Sequence, residues 1–510
     1  MLALLHALGH VALVLGYQTP SESPQTILQT SGLDVTAPFI FNSLSGLLTQ
    51  WPNTVHGTGH SIAPGILHPF TLLYHARQDS QLPPPSPEWL AWDPEMSYAI
   101  MVSRGGQSHL TTYRTTRPAK IIYLDGMSAA WGSGWLDSQH MFIYGMSKNG
   151  SKDISMWDDY GRADKLCEWA KSRDVEGFVR MNAGFEIIWC DFESPSLQLV
   201  SHLNITPPGT PERPSSWPRF PGRNLIPMEL ETETLDDPPD RPPRRGPGGG
   251  DPPRRGPGRG GGGPWQPPIS DLALTGNLEW VRAASHRAFA PQPHLTLFYS
   301  DMVTFYHPSL TSLVRDRFGQ PMRSHRLVNI SSDDAQKVVS EVDSVLVRRA
   351  AGELGTNFDW STAARSIVEY WGDRISHMHT YLLNASDPSV NTTASLLAIR
   401  TLAYTPINPF MQPGITPNAS GWDLFFSLPT AFLPNGFVPN TNVTALERCT
   451  SQATGFLSQM QMTPQERLLR TSVESVLARL CNDVRQISVS SMLTYPPPVP
   501  PVWCHLCTEF

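Results

Sequence analysis

Three side chains in the N-terminal half carry groups of the kind that hold or polarise a ligand: the imidazole of His75 in LLYHAR, the ring of Tyr98 in EWLAWDPEMSYAI (88–100), and the carboxylate of Glu186 in FEIIWCDF (185–192). The carboxylates Asp93, Glu95, Asp125, Asp137 and Glu186 could also supply the pair a glycosidase uses. That chemistry depends on the separation of two carboxyl groups, which sequence does not give. His56 and His60, in VHGTGHS, have the spacing of two ligands on one helix face, but the two glycines between them argue against such a helix. His377 and His379 fall on different sides of a helix. The C-H-L-C at 504–507 has no second C-x-x-C to complete a zinc site. There is no G-x-S-x-G elbow, no G-x-x-x-x-G-K-[ST] loop and no H-E-x-x-H. No metal is expected.

These side chains need a scaffold, and the sequence supplies two. In residues 34–204 an α+β domain is expected. FNSLSGLLTQW (41–51) puts Phe41, Leu44, Leu48 and Trp51 on one helical face. TLLYHAR, HLTTYRTT, AKIIYLDG, GFVRM, FEIIWCDF and LQLVSHL read as strands, with a turn at Asp125-Gly126. Helices fit PEMSYAIMVS (94–103) and GRADKLCEWAKSR (161–173). Residues 271–500 open with LTLFYSD and VTFYHPS, read as a strand pair, and continue as a mainly helical domain. Its stripes are Ala335, Val338, Val339, Val342, Val345 and Leu346, then Trp360 to Leu382, then Leu469, Val473, Val476, Leu480 and Val484. Thr463, Pro464 and Glu466 spell a capping box. The stripes build core and imply no chemistry. The helical domain reads as a stabilising module or a surface for a protein partner.

Composition gives the address. Residues 1–16 read as a signal peptide, with LALLHALGHVALVL ending at Gly16. No later segment is apolar and long enough to span a bilayer, and a net charge of −7 over 510 residues gives no reason to expect nucleic acid. Asn149, Asn204, Asn329, Asn384, Asn391, Asn418 and Asn442 each begin N-x-S/T, where chance predicts about three. The cysteines are Cys167, Cys190, Cys449, Cys481, Cys504 and Cys507, which suits an oxidising compartment. If bridges respect the two domains, Cys167 pairs with Cys190, and the other four leave three arrangements. Much of the 49-proline content concentrates in 205–270, a Pro/Gly/Arg-rich segment expected to be a disordered linker. Its dibasic pairs Arg244-Arg245 and Arg254-Arg255 would suit proteolytic maturation. Residues 501–510 form a cysteine-containing tail. The protein is expected in the secretory lumen or outside the cell.

The order of LLYHAR, EWLAWDPEMSYAI, IIYLDG and DKLCEWAKSRDVEGFVRMNAGFEIIWCDF over 71–204 resembles the ADP-ribosyltransferase superfamily. The resemblance implies a split sheet and NAD as substrate. It would have His75 bond a ribose hydroxyl and Tyr98 stack on nicotinamide. Glu186 would hold the nicotinamide ribose and stabilise its oxocarbenium-like transition state. Arginine-specific members carry Glu-x-Glu on the late strand, and Gly184 occupies the first of those positions. SIAPGILHPFTLLYHAR, EWLAWDPEMSYAIM and GFVRMNAGFEIIWCDF also resemble segments of fungal secreted proteins of unassigned function.

Two readings follow. One is an ADP-ribosyltransferase or NAD glycohydrolase. The other is a non-catalytic surface or extracellular glycoprotein with a binding or structural role. The first requires His75, Tyr98 and Glu186 to line one cleft; side chains on opposite sheet faces favour the second.

Overall fold

The computed structural model describes residues 32–102, 106–129, 134–145, 158–208 except Ala183, 282–385, 391–410 and 445–493, with Gly132 and Thr210 singly. The signal segment, the 211–281 stretch, Asn149, Asn418, Asn442, Cys504, Cys507 and both dibasic pairs lie outside these residues.

An N-terminal mixed α/β domain is followed by a helical C-terminal region. Helix α1 (Gly32–Gly46) and α2 (Gln50–Val55) precede β1 (Ser61–Leu67), β2 (Leu72–Arg77), β3 (Glu88–Ala91) and α3 (Pro94–Val102). Next come β4 (His109–Thr115), β5 (Ala119–Leu124), α4 (Asp137–Tyr144), α5 (Asp159–Lys171), β6 (Gly177–Met181), β7 (Phe185–Trp189) and β8 (Leu197–Asn204). The later elements are β9 (Leu295–Leu297), β10 (Val303–Thr304), α6 (Thr311–Arg317), α7 (Ser332–Ala350), α8 (Trp360–Ala385), α9 (Thr392–Ile407), α10 (Ala445–Ser451) and α11 (Pro464–Leu493).

Among the described residues the strands form one sheet in the order β10-β1-β5-β6-β7-β3-β2-β4-β8, with β9 also on β1. Every pairing is antiparallel except β5 with β6. The two strands expected to pair with each other, β9 and β10, instead both pair with β1. Pro64 explains why β1 can accept two short partners. Ser61 and Ile62 pair with β10 and Gly65 to Leu67 with β9, so the residue without an N–H falls where the outer ladder is interrupted. Gly65 lets β9 in, because a Cβ there would lie 2.8 Å from both the Leu297 side chain and the Thr296 carbonyl.

Both faces are covered. On one, Leu73, Leu90, Tyr123, Val179 and Ile187 pack against Phe41 and Leu44 of α1, Trp360 and Trp371 of α8, Ile399 of α9 and Leu469 and Val473 of α11. On the other, Ile122, Phe178 and Ile188 meet Phe142 of α4, Leu166 of α5 and Val338 and Val342 of α7. Helices from the C-terminal region therefore share cores with the N-terminal sheet. The capping box forms as spelled: Thr463 N–H donates to Glu466 Oε2 at 2.9 Å and Glu466 N–H to Thr463 Oγ1 at 3.1 Å.

The continuous helix expected over 41–51 is broken. α1 ends at Gly46, Leu48 turns left-handed at φ 59° and Trp51 is exposed on α2. Asn53 holds this corner, its Nδ2 donating to the carbonyls of Gly46 at 2.8 Å and Thr49 at 2.7 Å. The Asp125-Gly126 turn packs against the His56–His60 loop. Gly126 has φ +76°, and a Cβ there would sit 2.5 Å from the Gly59 nitrogen. Gly126→Ala should cost about 2–3 kcal/mol in urea unfolding; an unchanged midpoint would show that the turn can relax.

Candidate functional site

Alternation along the strands decides the fate of the three candidate residues. Tyr74 lies opposite Ala91, and Ala91 opposite Glu186, so these three share a face. His75, one residue on, points to the other face, the one that carries Leu73 and Leu90. Tyr98 is half-buried on α3, which lies alongside β2 through the Ser97 hydroxyl donating to the Tyr74 carbonyl at 2.9 Å. The structure does not bring His75 and Glu186 together.

Glu186 sits in a buried charge network. Arg180, opposite it on β6, donates from Nε to Glu186 Oε1 at 2.9 Å and from Nη1 to Gln139 Oε1 at 3.4 Å. Asp159 accepts from Arg180 Nη1 at 3.5 Å and also from Arg162 Nη2. Arg180 and Arg162 are both essentially inaccessible, and the Arg180 guanidinium lies 5.5 Å from the centre of the Trp89 ring. Burial pushes the Glu186 carboxyl up, against the pull of Arg180. Two cations matched to two carboxylates make a structural element that links α4, α5, β6 and β7.

A second cluster lies where the sheet opens. β2 and β3 share one register position, Tyr74 with Ala91. Beyond it side chains span the gap. His75 Nδ1 donates to the Trp89 carbonyl at 2.7 Å, Arg77 Nη1 to Glu88 Oε1 at 3.3 Å, and the Tyr160 hydroxyl to Glu88 at 2.9 Å. With Nδ1 committed as donor, His75 Nε2 is a buried acceptor with no partner among the described residues. Burial moves the His75 pKa down to about 4 and that of Glu88 up to about 7. Sequence reading missed Glu88 and Tyr160; nothing in EWLA or DYGRADKL marks them, because only the tertiary structure brings Tyr160 of α5 to the β3 carboxylate.

Glu88 gives a pH prediction. Its folded pKa lies above its ordinary value, so the stability it contributes is complete below about pH 4.5 and is lost as pH rises through about 7. Glu88→Gln should therefore gain on the native protein between pH 5 and pH 8, by roughly 2–3 kcal/mol at the alkaline end. His75 is present in both proteins, so its own titration cancels. A pH-independent difference in urea midpoints would refute the assignment.

The other candidate carboxylates are dispersed. Asp93 binds Arg287 Nη1 at 3.1 Å, Asp125 accepts from Ser61 N–H at 2.7 Å, and Asp137 takes Arg326 Nε at 2.8 Å. His60 stacks on Tyr306 with ring centres 4.5 Å apart rather than joining His56. Cys167 is bonded to Cys190 and Cys449 to Cys481, each with sulfurs 1.97 Å apart. The described acceptor asparagines, Asn204, Asn329, Asn384 and Asn391, are all exposed. At Asn204 the Thr206 hydroxyl donates to Oδ1 at 2.6 Å. Among the described residues no helix is long and apolar enough to cross a membrane.

Residues 31–109 and 101–211 match the family model of the YPL277C N-terminal domain. The relatives are fungal. Uncharacterized protein YOR389W of Saccharomyces cerevisiae is 29% identical over 248 residues, covering 38% of each chain. Uncharacterized protein YPL277C of the same yeast is 29% identical over 249 residues, covering 38% of this chain and 50% of that one. The similarity thus spans half or less of these relatives, and it supports kinship with an uncharacterized fungal family over the N-terminal domain. No solved structure matches the chain.

Proposed function

We propose that the chain is a secreted or lumenal N-glycoprotein whose mixed α/β domain serves binding or structure rather than catalysis. The observation that carries this reading is the separation of His75 and Glu186 onto opposite faces, with Glu186 already held by Arg180. Two disulfides and four exposed acceptor asparagines support the compartment. The helical region would offer the surface for a protein partner.

NAD as substrate of an ADP-ribosyltransferase-like or NAD glycohydrolase-like domain is a second reading. In its favour is the gap between β2 and β3, flanked by His75 and Glu88. One preparation tests both. Expressed from a eukaryotic secretory host, the full chain should appear in the medium and shift in mobility on endoglycosidase treatment. Given NAD, it should release no more nicotinamide than its Glu186→Gln variant. Retention inside the cell without glycans would overturn the first reading, and nicotinamide release abolished by Glu186→Gln would establish the second.

A further inference from the structure

Arg317 is a buried cation without a carboxylate partner among the described residues. It lies at the end of α6, 7% exposed. Nη1 donates to the Phe305 carbonyl at 2.8 Å and Nη2 to the Arg326 carbonyl at 3.3 Å, while the guanidinium lies 4.7 Å from the centre of the Tyr306 ring. Its Nε is buried and has no hydrogen-bond partner among the described residues. The nearby carboxylates are engaged elsewhere. Asp316, its neighbour on α6, takes Asn329 Nδ2 at 2.7 Å, and Asp137 on α4 takes Arg326 Nε and the Leu327 N–H. The titratable groups packed around it from other segments are the Tyr306 phenol and two imidazoles. His60 Nδ1 donates to the Thr58 carbonyl at 2.8 Å; His325 accepts from the Tyr306 hydroxyl at 3.1 Å and donates to the Gln320 carbonyl at 3.0 Å. Burial lowers the Arg317 pKa to about 10, and the Arg317 charge adds to burial in lowering those of His60 and His325.

Burying a charge costs several kcal/mol unless something neutralises it. Beside Arg317 is a cavity of about 20 Å³, lined by Thr36, Phe39, Tyr306, Val314, Arg317 and Phe318. That volume admits a single water-sized sphere. That is the scale of one water or one monatomic ion, and Arg317 is the charged group in the lining.

We propose that this cavity binds one halide ion, with Arg317 as its counter-charge, and that chloride is the natural occupant. The ion offsets the uncompensated guanidinium at the junction of α1, the segment after β10 and α6. By the same electrostatics it makes His60 and His325 easier to protonate.

The test uses the purified full chain in sodium chloride and in sodium gluconate at equal ionic strength. Chloride should raise the thermal midpoint by about 2–4 °C, and the protein should broaden the ³⁵Cl resonance in a way bromide reverses. Val314→Leu keeps Arg317 but fills the cavity, and should abolish both effects while the chain still folds. Arg317→Gln should do the same; if it fails to fold, the wild-type and Val314→Leu measurements still decide. Equal midpoints and no excess line width in the wild type would mean the cavity holds only water. Chloride dependence surviving in Val314→Leu would place the ion elsewhere. Either result overturns the proposal.

Discussion

Arg180→Met should lower the unfolding free energy by about 3–5 kcal/mol, because it strands the buried carboxylate of Glu186. In the native chain Glu186 and Asp159 are matched by Arg180 and Arg162. Without Arg180, Asp159 keeps Arg162, but Glu186 loses its bond to Nε. The stranded carboxyl is then expected to take up a proton, so the loss should shrink as pH falls. Glu186→Gln should cost less, since an amide can still accept from Arg180 Nε. The double variant Arg180→Met with Glu186→Leu should recover most of the stability, because apolar replacement of a buried pair is often close to neutral. A double-mutant cycle in urea would read the coupling directly. Simple additivity of the single effects would show that the pair does not act as a unit.

Removing the Cys449–Cys481 bridge should cost about 3–4 kcal/mol, the expectation for a closed loop of this size in the chain-entropy account. The loop spans 32 residues, and both cysteines are buried between α10 and α11. The seven residues of α10 are too short to be helical on their own. Its docking therefore rests on the bridge, on the buried Ala445 and on Arg448, whose Nε donates to the Phe410 carbonyl at 3.0 Å. Cys449→Ser with Cys481→Ser should lower the thermal midpoint and open a protease-sensitive site near residues 445–451. The Cys167–Cys190 bridge closes a shorter loop of 23 residues and pins α5 to the end of β7, so its removal should cost about 3 kcal/mol. Dithiothreitol should reproduce the combined loss in the native chain. Equal midpoints with and without reductant would show that the helical packing holds these elements unaided.

Local pattern located most of the elements. The stripes of α7, α8 and α11 were readable because a 3.6-residue period of apolar side chains needs no knowledge of the partner, and each stripe is buried largely as written. The capping box at Thr463 and Glu466 was readable because it closes within four residues. β1 was not. SIAPGIL contains a proline and a glycine, which ordinarily mark loops; it becomes a strand by pairing with β5 over Ile62 to Leu67, while the break at Pro64 and the close approach at Gly65 let β10 and β9 share its other edge. The break after Gly46 was hidden in the same way, since Asn53 closes that corner from the next helix.

By itself the sequence determined most of the strand and helix segments, the core stripes and, on the condition that bridges respect the two domains, the pairing of Cys167 with Cys190. The tertiary structure alone decided which face each candidate side chain occupies. That choice depends on the register of β2 against β3 and of β3 against β7, pairings between residues more than ten or ninety positions apart. A slip of one residue in either pairing would have put His75 and Glu186 on the same face of the sheet. The same non-local pairing carries β9 and β10 onto β1, gathers Glu88, Arg77 and Tyr160 at the opening of the sheet, and leaves Arg317 beside its cavity.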